Sequence, residues 1–210
     1  MKNIKHIIFD LGGVLLNIDY QKTIEAFEKL GIPEFQNHFS QAIQNEFFER
    51  WECGEMEEDE FYDTLCQLTR PSLNKADVRD AWNSMLLNFP LRRLQILQQL
   101  QLHYDLFLLS NTNVVHEKFF NELLMQTVQI PTLNVFFDKV YLSHRVGLRK
   151  PDLRIFQLIL EGHNLNPKET LFIDDSIQHI EAAEKLGLQT FFLKPGLTIE
   201  KDVFKNKRGD

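Results

Sequence analysis

Short runs of large apolar residues recur along this chain and break off abruptly at polar ones. They are Ile7-Ile8-Phe9 before Asp10, Leu106-Phe107-Leu108-Leu109 before Ser110-Asn111, and Leu171-Phe172-Ile173 before Asp174-Asp175. An unbroken run of this length between helical patterns reads as a parallel strand buried on both faces. Phe136 to Leu142 is a further strand candidate, and Thr190 to Leu193 reads as a sheet edge. Between the runs the period becomes helical: Leu91, Leu94, Leu97 and Leu100 mark one face, and Val115, Phe119 and Leu123 another. Ile155, Phe156, Ile159 and Leu160 follow Pro151, and Ile180, Ala183 and Leu186 are closed by Gly187. The alternation predicts an α/β fold, a Rossmann-like parallel sheet core with helices on both faces. In such sheets ligands sit beyond the carboxyl ends of the strands, so the polar stops locate a candidate site.

From Asp19 to Phe89 the pattern is helical throughout. Ile24, Phe27 and Leu30 define a first helix, with Asp19 as its N-cap and Gly31 and Pro33 as its stop. Phe35, Phe39, Ile43, Phe47 and Trp51 mark a second that ends near Gly54. Phe61, Leu65 and Leu68 line a third before Pro71; Val78, Trp82, Met85 and Phe89 line a fourth before Pro90. The expected division is therefore an α/β core of residues 1–16 and 90–210, interrupted by an inserted α-helical cap of residues 17–89.

Composition narrows the function. At 210 residues the chain holds one α/β domain and a small insertion. The net charge of −7 argues against a nucleic-acid reader, and the one basic cluster, Lys205-Asn206-Lys207-Arg208, reads as a frayed tail. Cys53 and Cys66 are the two cysteines, expected as free thiols in a reducing cytoplasm. No apolar stretch approaches the ~18 residues of a membrane span. The first residues run straight into a strand, leaving no room for a cleavable signal, so a cytoplasmic location is expected.

Four polar segments stand in order: FDLGGVLL (Phe9 to Leu16), FLLSNTN (Phe107 to Asn113), RKPD (Arg149 to Asp152) and FIDDS (Phe172 to Ser176). Singly, each is ordinary turn or capping chemistry. Together, and in this order, they resemble the haloacid dehalogenase-like hydrolases, over nearly the whole chain and including a cap between the first two motifs. The resemblance implies Asp10 as nucleophile, attacking phosphorus to form an aspartyl-phosphate. It implies Mg²⁺ held by Asp10, Asp175 and the main-chain carbonyl of Gly12, with Asp174 behind them orienting a bound water. Lys150 would bridge the nucleophile and the phosphoryl oxygens, and Ser110 and Asn111 would lie against the phosphate. Trp51, Glu52 and Glu55 match the cap pattern and are specificity candidates, with core packing and helix capping as equal readings.

Two positions depart from the family pattern. Where most members carry a second Asp, two residues after the nucleophile, this chain has Gly12, which has no proton to transfer. Where they carry Asp or Asn four residues after Asp175, it has His179. The sequence is thus closer to the GGVL-type branch, near sugar-phosphate phosphatases and the N-terminal domains of epoxide hydrolases. The expected activity is Mg²⁺-dependent removal of phosphate from a small phosphomonoester, with a sugar phosphate among the candidates, by a monomer or weak homodimer without nucleic-acid or membrane partners. The competing readings are a metal-free carbon–halogen hydrolase and a non-catalytic phosphate- or partner-binding domain. Should Gly12 have a substitute acid, Glu52, Glu55 and His116 are the first candidates.

Overall fold

The computed structural model describes residues 3–32, 35, 46–68 and 73–204. Its strands are β1 (His6–Phe9), β2 (Asn17–Ile18), β3 (Leu86–Asn88), β4 (Asp105–Ser110), β5 (Lys139–Leu142), β6 (Thr170–Asp174) and β7 (Gln189–Phe192). Five of them form a parallel sheet in the order β5-β4-β1-β6-β7. Phe9 lies opposite Leu108 on one side and Ile173 on the other, which sets the three polar stops side by side at one end of the sheet. Ile7, Phe9, Leu106, Leu108, Leu171 and Ile173 enter one apolar cluster, while Ile8, Phe107, Leu109 and Phe172 enter another across the sheet. This burial on both faces explains why the runs are continuous rather than alternating. The chain builds outward from β1 in both directions, so the crevice of the switch point opens above Asp10.

The inserted segment contributes α1 (Tyr20–Lys29), α2 (Glu46–Glu52), α3 (Glu58–Leu68) and α4 (Lys75–Asn83). Asp19 caps α1 by accepting a hydrogen bond from the Gln21 N–H at 3.0 Å, as the sequence predicts. Phe27, Phe48, Trp51, Phe61 and Trp82 form an aromatic cluster of their own, with Trp51 stacked on Phe61 at 4.2 Å between ring centres. The expected second helix is described only from Glu46; Phe39 and Ile43 lie outside the described residues, as do Pro33, Pro71 and the basic tail.

The expected fourth helix is too long. It ends at Asn83, and Leu86–Asn88 instead pairs antiparallel with Asn17–Ile18. The reason is where the apolar side chains go: Val78 and Trp82 join the insertion's cluster, but Met85, Leu86 and Phe89 join the core. The Asp19 N–H donates to the Met85 carbonyl at 2.9 Å, so the two crossings between core and insertion lie together.

Returning to the core, α5 (Leu91–Leu100) and α6 (Val114–Val128) cover one face of the sheet. A short α7 (Ser143–Val146) leads to the Lys150 loop; α8 (Leu153–Gly162) and α9 (Ile177–Lys185) cover the other face. The strand candidate beginning at Phe136 starts later, because Leu133–Phe136 closes as a 3₁₀ turn and pairing with β4 begins at Lys139. Cys53 and Cys66 are both free thiols.

Candidate active site

The sheet register carries Asp10, Ser110 and Asp174 to one place, and the Lys150 loop closes over them. The Asp10 N–H continues the ladder by donating to the Ile173 carbonyl at 2.9 Å, which fixes the backbone beneath its carboxylate. The side chain of Lys150 is fully buried. Its ammonium donates to Asp10 Oδ1 at 2.8 Å, to Asp174 Oδ2 at 2.7 Å and to the Leu109 carbonyl at 2.9 Å, using all three of its hydrogens.

Asn111 holds this loop in place. Its Nδ2 donates to the Lys150 carbonyl at 2.8 Å, and its Oδ1 accepts from the Lys150 N–H at 2.9 Å. The side chain expected against phosphate is therefore occupied with the Lys150 backbone. Ser110 lies beside it in the pocket lining, and among the described residues its hydroxyl makes only a long 3.5 Å contact to the Asn111 carbonyl.

Asp174 is anchored on every side. Besides Lys150, it accepts from the Ser176 N–H at 2.7 Å, and His179 Nδ1 lies 3.0 Å from each of its oxygens. Burial works to raise its carboxyl, but Lys150 and His179 outweigh that and hold it below the ordinary carboxylate range. His179 thus turns toward Asp174, consistent with a structural partner for that carboxylate.

Asp175 lacks such support. Burial first, then the neighbouring Asp10 and Asp174 charges, push its carboxyl up to about 7. Asp10 is likewise pushed upward by burial and by Asp174, against the pull of Lys150. Oxygens of Asp10, Asp174 and Asp175 all lie within 4.8 Å of one another, and no lysine or arginine of the described residues pairs with Asp175. Three carboxylates against one ammonium leave unbalanced negative charge, and hard oxygen donors at this spacing suit Mg²⁺. Asp174 is already taken up by Lys150, Ser176 and His179, which leaves Asp10 and Asp175 as the carboxylates with oxygens to spare for such an ion.

Gly13 makes the arrangement possible. Its φ is +72°, and a Cβ there would stand 2.1 Å from Asp175 Oδ2. The turn after β1 therefore approaches the carboxylate more closely than any other residue would allow.

The pocket above these groups has a volume of about 120 Å³. Of the three cap candidates only Glu52 lines it. Trp51 is buried in the aromatic cluster, and Glu55 is exposed and borders a separate outer cleft. Arg149, quoted in the RKPD segment but given no role from sequence, is buried and reaches across to the insertion. It donates to Glu52 Oε2 from Nε at 3.0 Å and pairs with Glu49 at 3.2 Å. A basic residue next to Lys150 was the only sequence signal for that contact. Tyr20 and Gln178 also border the pocket and were not singled out.

Comparison with known proteins identifies the family. A profile described as haloacid dehalogenase-like hydrolase matches residues 4–187. The chain is 34% identical over 188 residues to a D-ribitol-5-phosphate phosphatase of Bacteroides thetaiotaomicron, covering 90% of this chain and 91% of that protein. It is 25% identical over 198 residues to a sesquiterpene phosphatase of Aspergillus oryzae, covering 92% and 91%. Among solved structures, a wild-type HAD family enzyme of B. thetaiotaomicron in complex with magnesium and inorganic phosphate superposes with a TM-score of 0.84 at 34% identity, covering 92% of this chain and 96% of that one.

Proposed function

The chain belongs to the haloacid dehalogenase-like hydrolase family, and from that premise we propose that it is a Mg²⁺-dependent phosphatase acting on a small phosphomonoester of the sugar- or polyol-phosphate class. The observation that carries this reading is the Lys150 ammonium shared between Asp10 and Asp174 while Asp175 stands unpaired beside them. A carboxylate cannot approach a phosphate dianion unless local positive charge offsets the repulsion. Lys150 supplies part of it, and a Mg²⁺ held by Asp10, Asp175 and the Gly12 carbonyl would supply the rest. A carbon–halogen hydrolase has no use for this density of carboxylates.

The residues then divide the work. One oxygen of Asp10, held rigid at the strand end, attacks phosphorus as the ester oxygen departs on the opposite side. Lys150 pulls Asp10 toward its ionised form against the effect of burial and stabilises the charge spreading over the phosphoryl oxygens. The Ser110 hydroxyl donates to one of those oxygens, and Asn111 keeps Lys150 in register. A water completes the reaction by displacing phosphate from Asp10. In this reading residues 17–89 form the cap, placing Glu52 above the reacting atoms and excluding bulk water.

The pocket, about 120 Å³ in volume and lined mostly by polar side chains, suits a phosphoryl group. The relative that acts on D-ribitol 5-phosphate supports a hydroxylated leaving group.

Hydrolysis of p-nitrophenyl phosphate tests the reading. Chelation should abolish turnover and added Mg²⁺ restore it, and Asp10→Asn should remove turnover in a protein that still folds. Full activity after exhaustive chelation would overturn the mechanism and favour metal-free chemistry.

A further inference from the structure

An in-line displacement fixes where the leaving oxygen must point. Asp10 attacks from the strand ends, so the departing oxygen faces away from the sheet, toward the inserted segment. A poor leaving group such as a sugar or polyol needs a proton there, and Gly12 has none to give.

The three substitutes suggested by sequence separate cleanly. Glu55 borders the outer cleft rather than the reaction pocket. His116 lies under Trp82 with Nε2 3.2 Å from the Trp82 carbonyl and outside the reaction pocket, and burial drives its imidazole down to about 4, so at neutral pH it is uncharged and its remaining N–H is committed to that carbonyl. Glu52 lines the same pocket as Asp10 and Ser110 and enters it from the insertion side.

Its two oxygens are unlike. Oε2 accepts from Arg149 twice, from Nε at 3.0 Å and from Nη2 at 2.9 Å, and Oε1 has no bond among the described residues. Arg149 is itself buried and directly precedes Lys150, so the carboxyl is braced against the loop that carries the catalytic ammonium. Besides Asp10, Asp175, Lys150 and Arg149, which already have roles, two other titratable side chains border the pocket. His179 stands on α9, with Nδ1 committed to Asp174. Tyr20 opens α1 and presents a phenol, a much weaker acid.

Building on the phosphatase reading above, we propose that Glu52 is the catalytic acid and base of this enzyme, replacing the carboxyl that Gly12 lacks. As Asp10 Oδ bonds to phosphorus and the ester P–O bond breaks, the proton on Glu52 Oε1 passes to the leaving oxygen. A neutral alcohol departs and Glu52 becomes a carboxylate. That carboxylate then takes a proton from the water whose oxygen attacks the aspartyl-phosphate. The Asp10–phosphorus bond breaks, phosphate leaves, and protonated Glu52 is restored. Burial raises the Glu52 carboxyl above the ordinary range despite Arg149, in keeping with a group that must hold a proton between turnovers.

The test compares kcat/KM of the Mg²⁺-loaded enzyme on p-nitrophenyl phosphate, whose leaving group needs no proton, and on ribitol 5-phosphate, whose leaving group does. Glu52→Gln keeps the size and the Arg149 contact but cannot transfer the proton. It should lower kcat/KM for the polyol ester by about 10²–10⁴-fold while sparing the aryl ester, which should now release nitrophenol in a burst of one equivalent before the slowed second step. Gly12→Asp added to Glu52→Gln should recover polyol turnover, since a Cβ at Gly12 meets only the flexible end of Ile18 at 3.2 Å. Equal losses on both esters would reduce Glu52 to a structural brace and overturn the proposal. Unchanged polyol turnover would also overturn it, and Tyr20→Phe and His179→Asn would then identify the donor. A wild type inactive on both esters would overturn the phosphatase reading itself.

Discussion

Gly13 and Asp175 show how closely single residues are matched in this site. A side chain at Gly13 suffers twice, from the left-handed φ of +72° and from a Cβ placed 2.1 Å from Asp175 Oδ2. The first penalty is backbone strain of about 1–2 kcal/mol; the second displaces a carboxylate proposed to hold Mg²⁺. Gly196 separates the two, because it has a similar φ of +87° with nothing within 4 Å of its Cβ position. We expect Gly13→Ala to lose at least as much stability as Gly196→Ala in urea unfolding, and only Gly13→Ala to need at least about tenfold more Mg²⁺ for half-maximal activity, as outer features of metal sites typically do when disturbed. Equal Mg²⁺ requirements in both variants would show that Asp175 does not depend on the missing side chain. None of this was readable from the sequence beyond a sharp turn. The GG pair announced a tight backbone, but which carboxylate it made room for depended on a contact 162 residues away.

At the level of elements, the sheet and its polar ends were legible because each central strand is buried on both faces and so writes an unbroken apolar run. The helices were less so where one apolar pattern serves two cores. Val78, Trp82, Met85 and Phe89 keep helical spacing, but the last two belong to the sheet side, and the chain leaves α4 to form β3 between them. The same junction buries His116 of α6 beneath Trp82 of α4. Burial lowers its pKa from the ordinary 6.5 to about 4, so below pH 6.5 the unfolded chain takes up a proton that the folded protein refuses. Stability contributed by this neutral histidine is therefore complete above pH 6.5 and is lost as pH falls toward 4, amounting to about 3 kcal/mol across the window. His116→Gln can still reach the Trp82 carbonyl and does not titrate. The difference in unfolding free energy between wild type and variant should shift against the wild type by that amount between pH 7 and pH 4, while a pH-independent difference would mean that the imidazole is protonated in place.

Across the whole molecule, the contacts that join insertion to core were the least legible. The Arg149 pair with Glu52 spans 97 residues and leaves no local pattern, so sequence could name Glu52 only by position in a motif and could not separate it from Trp51 and Glu55. Charge is the property that the whole fold must accommodate. Asp10, Asp174 and Asp175 converge from two strand ends, with Lys150 paired to the first two only, and like charges this close repel in the metal-free protein. A cation that binds only the folded state stabilises it by RT ln(1 + [L]/Kd), about 2.7 kcal/mol at a hundredfold excess over Kd. For a chain of 210 residues that corresponds to a rise in Tm of roughly 5–10 °C. We expect Mg²⁺ to raise the Tm of the chelated protein by this order. Asp175→Asn, which removes the unpaired charge, should raise the Tm of the metal-free protein and nearly erase the Mg²⁺ increment, whereas Asp152→Asn, outside the cluster, should leave the increment intact. A wild type whose Tm ignores Mg²⁺, or an Asp175→Asn variant that keeps the full increment, would place the cation elsewhere and leave the three carboxylates without the role assigned to them.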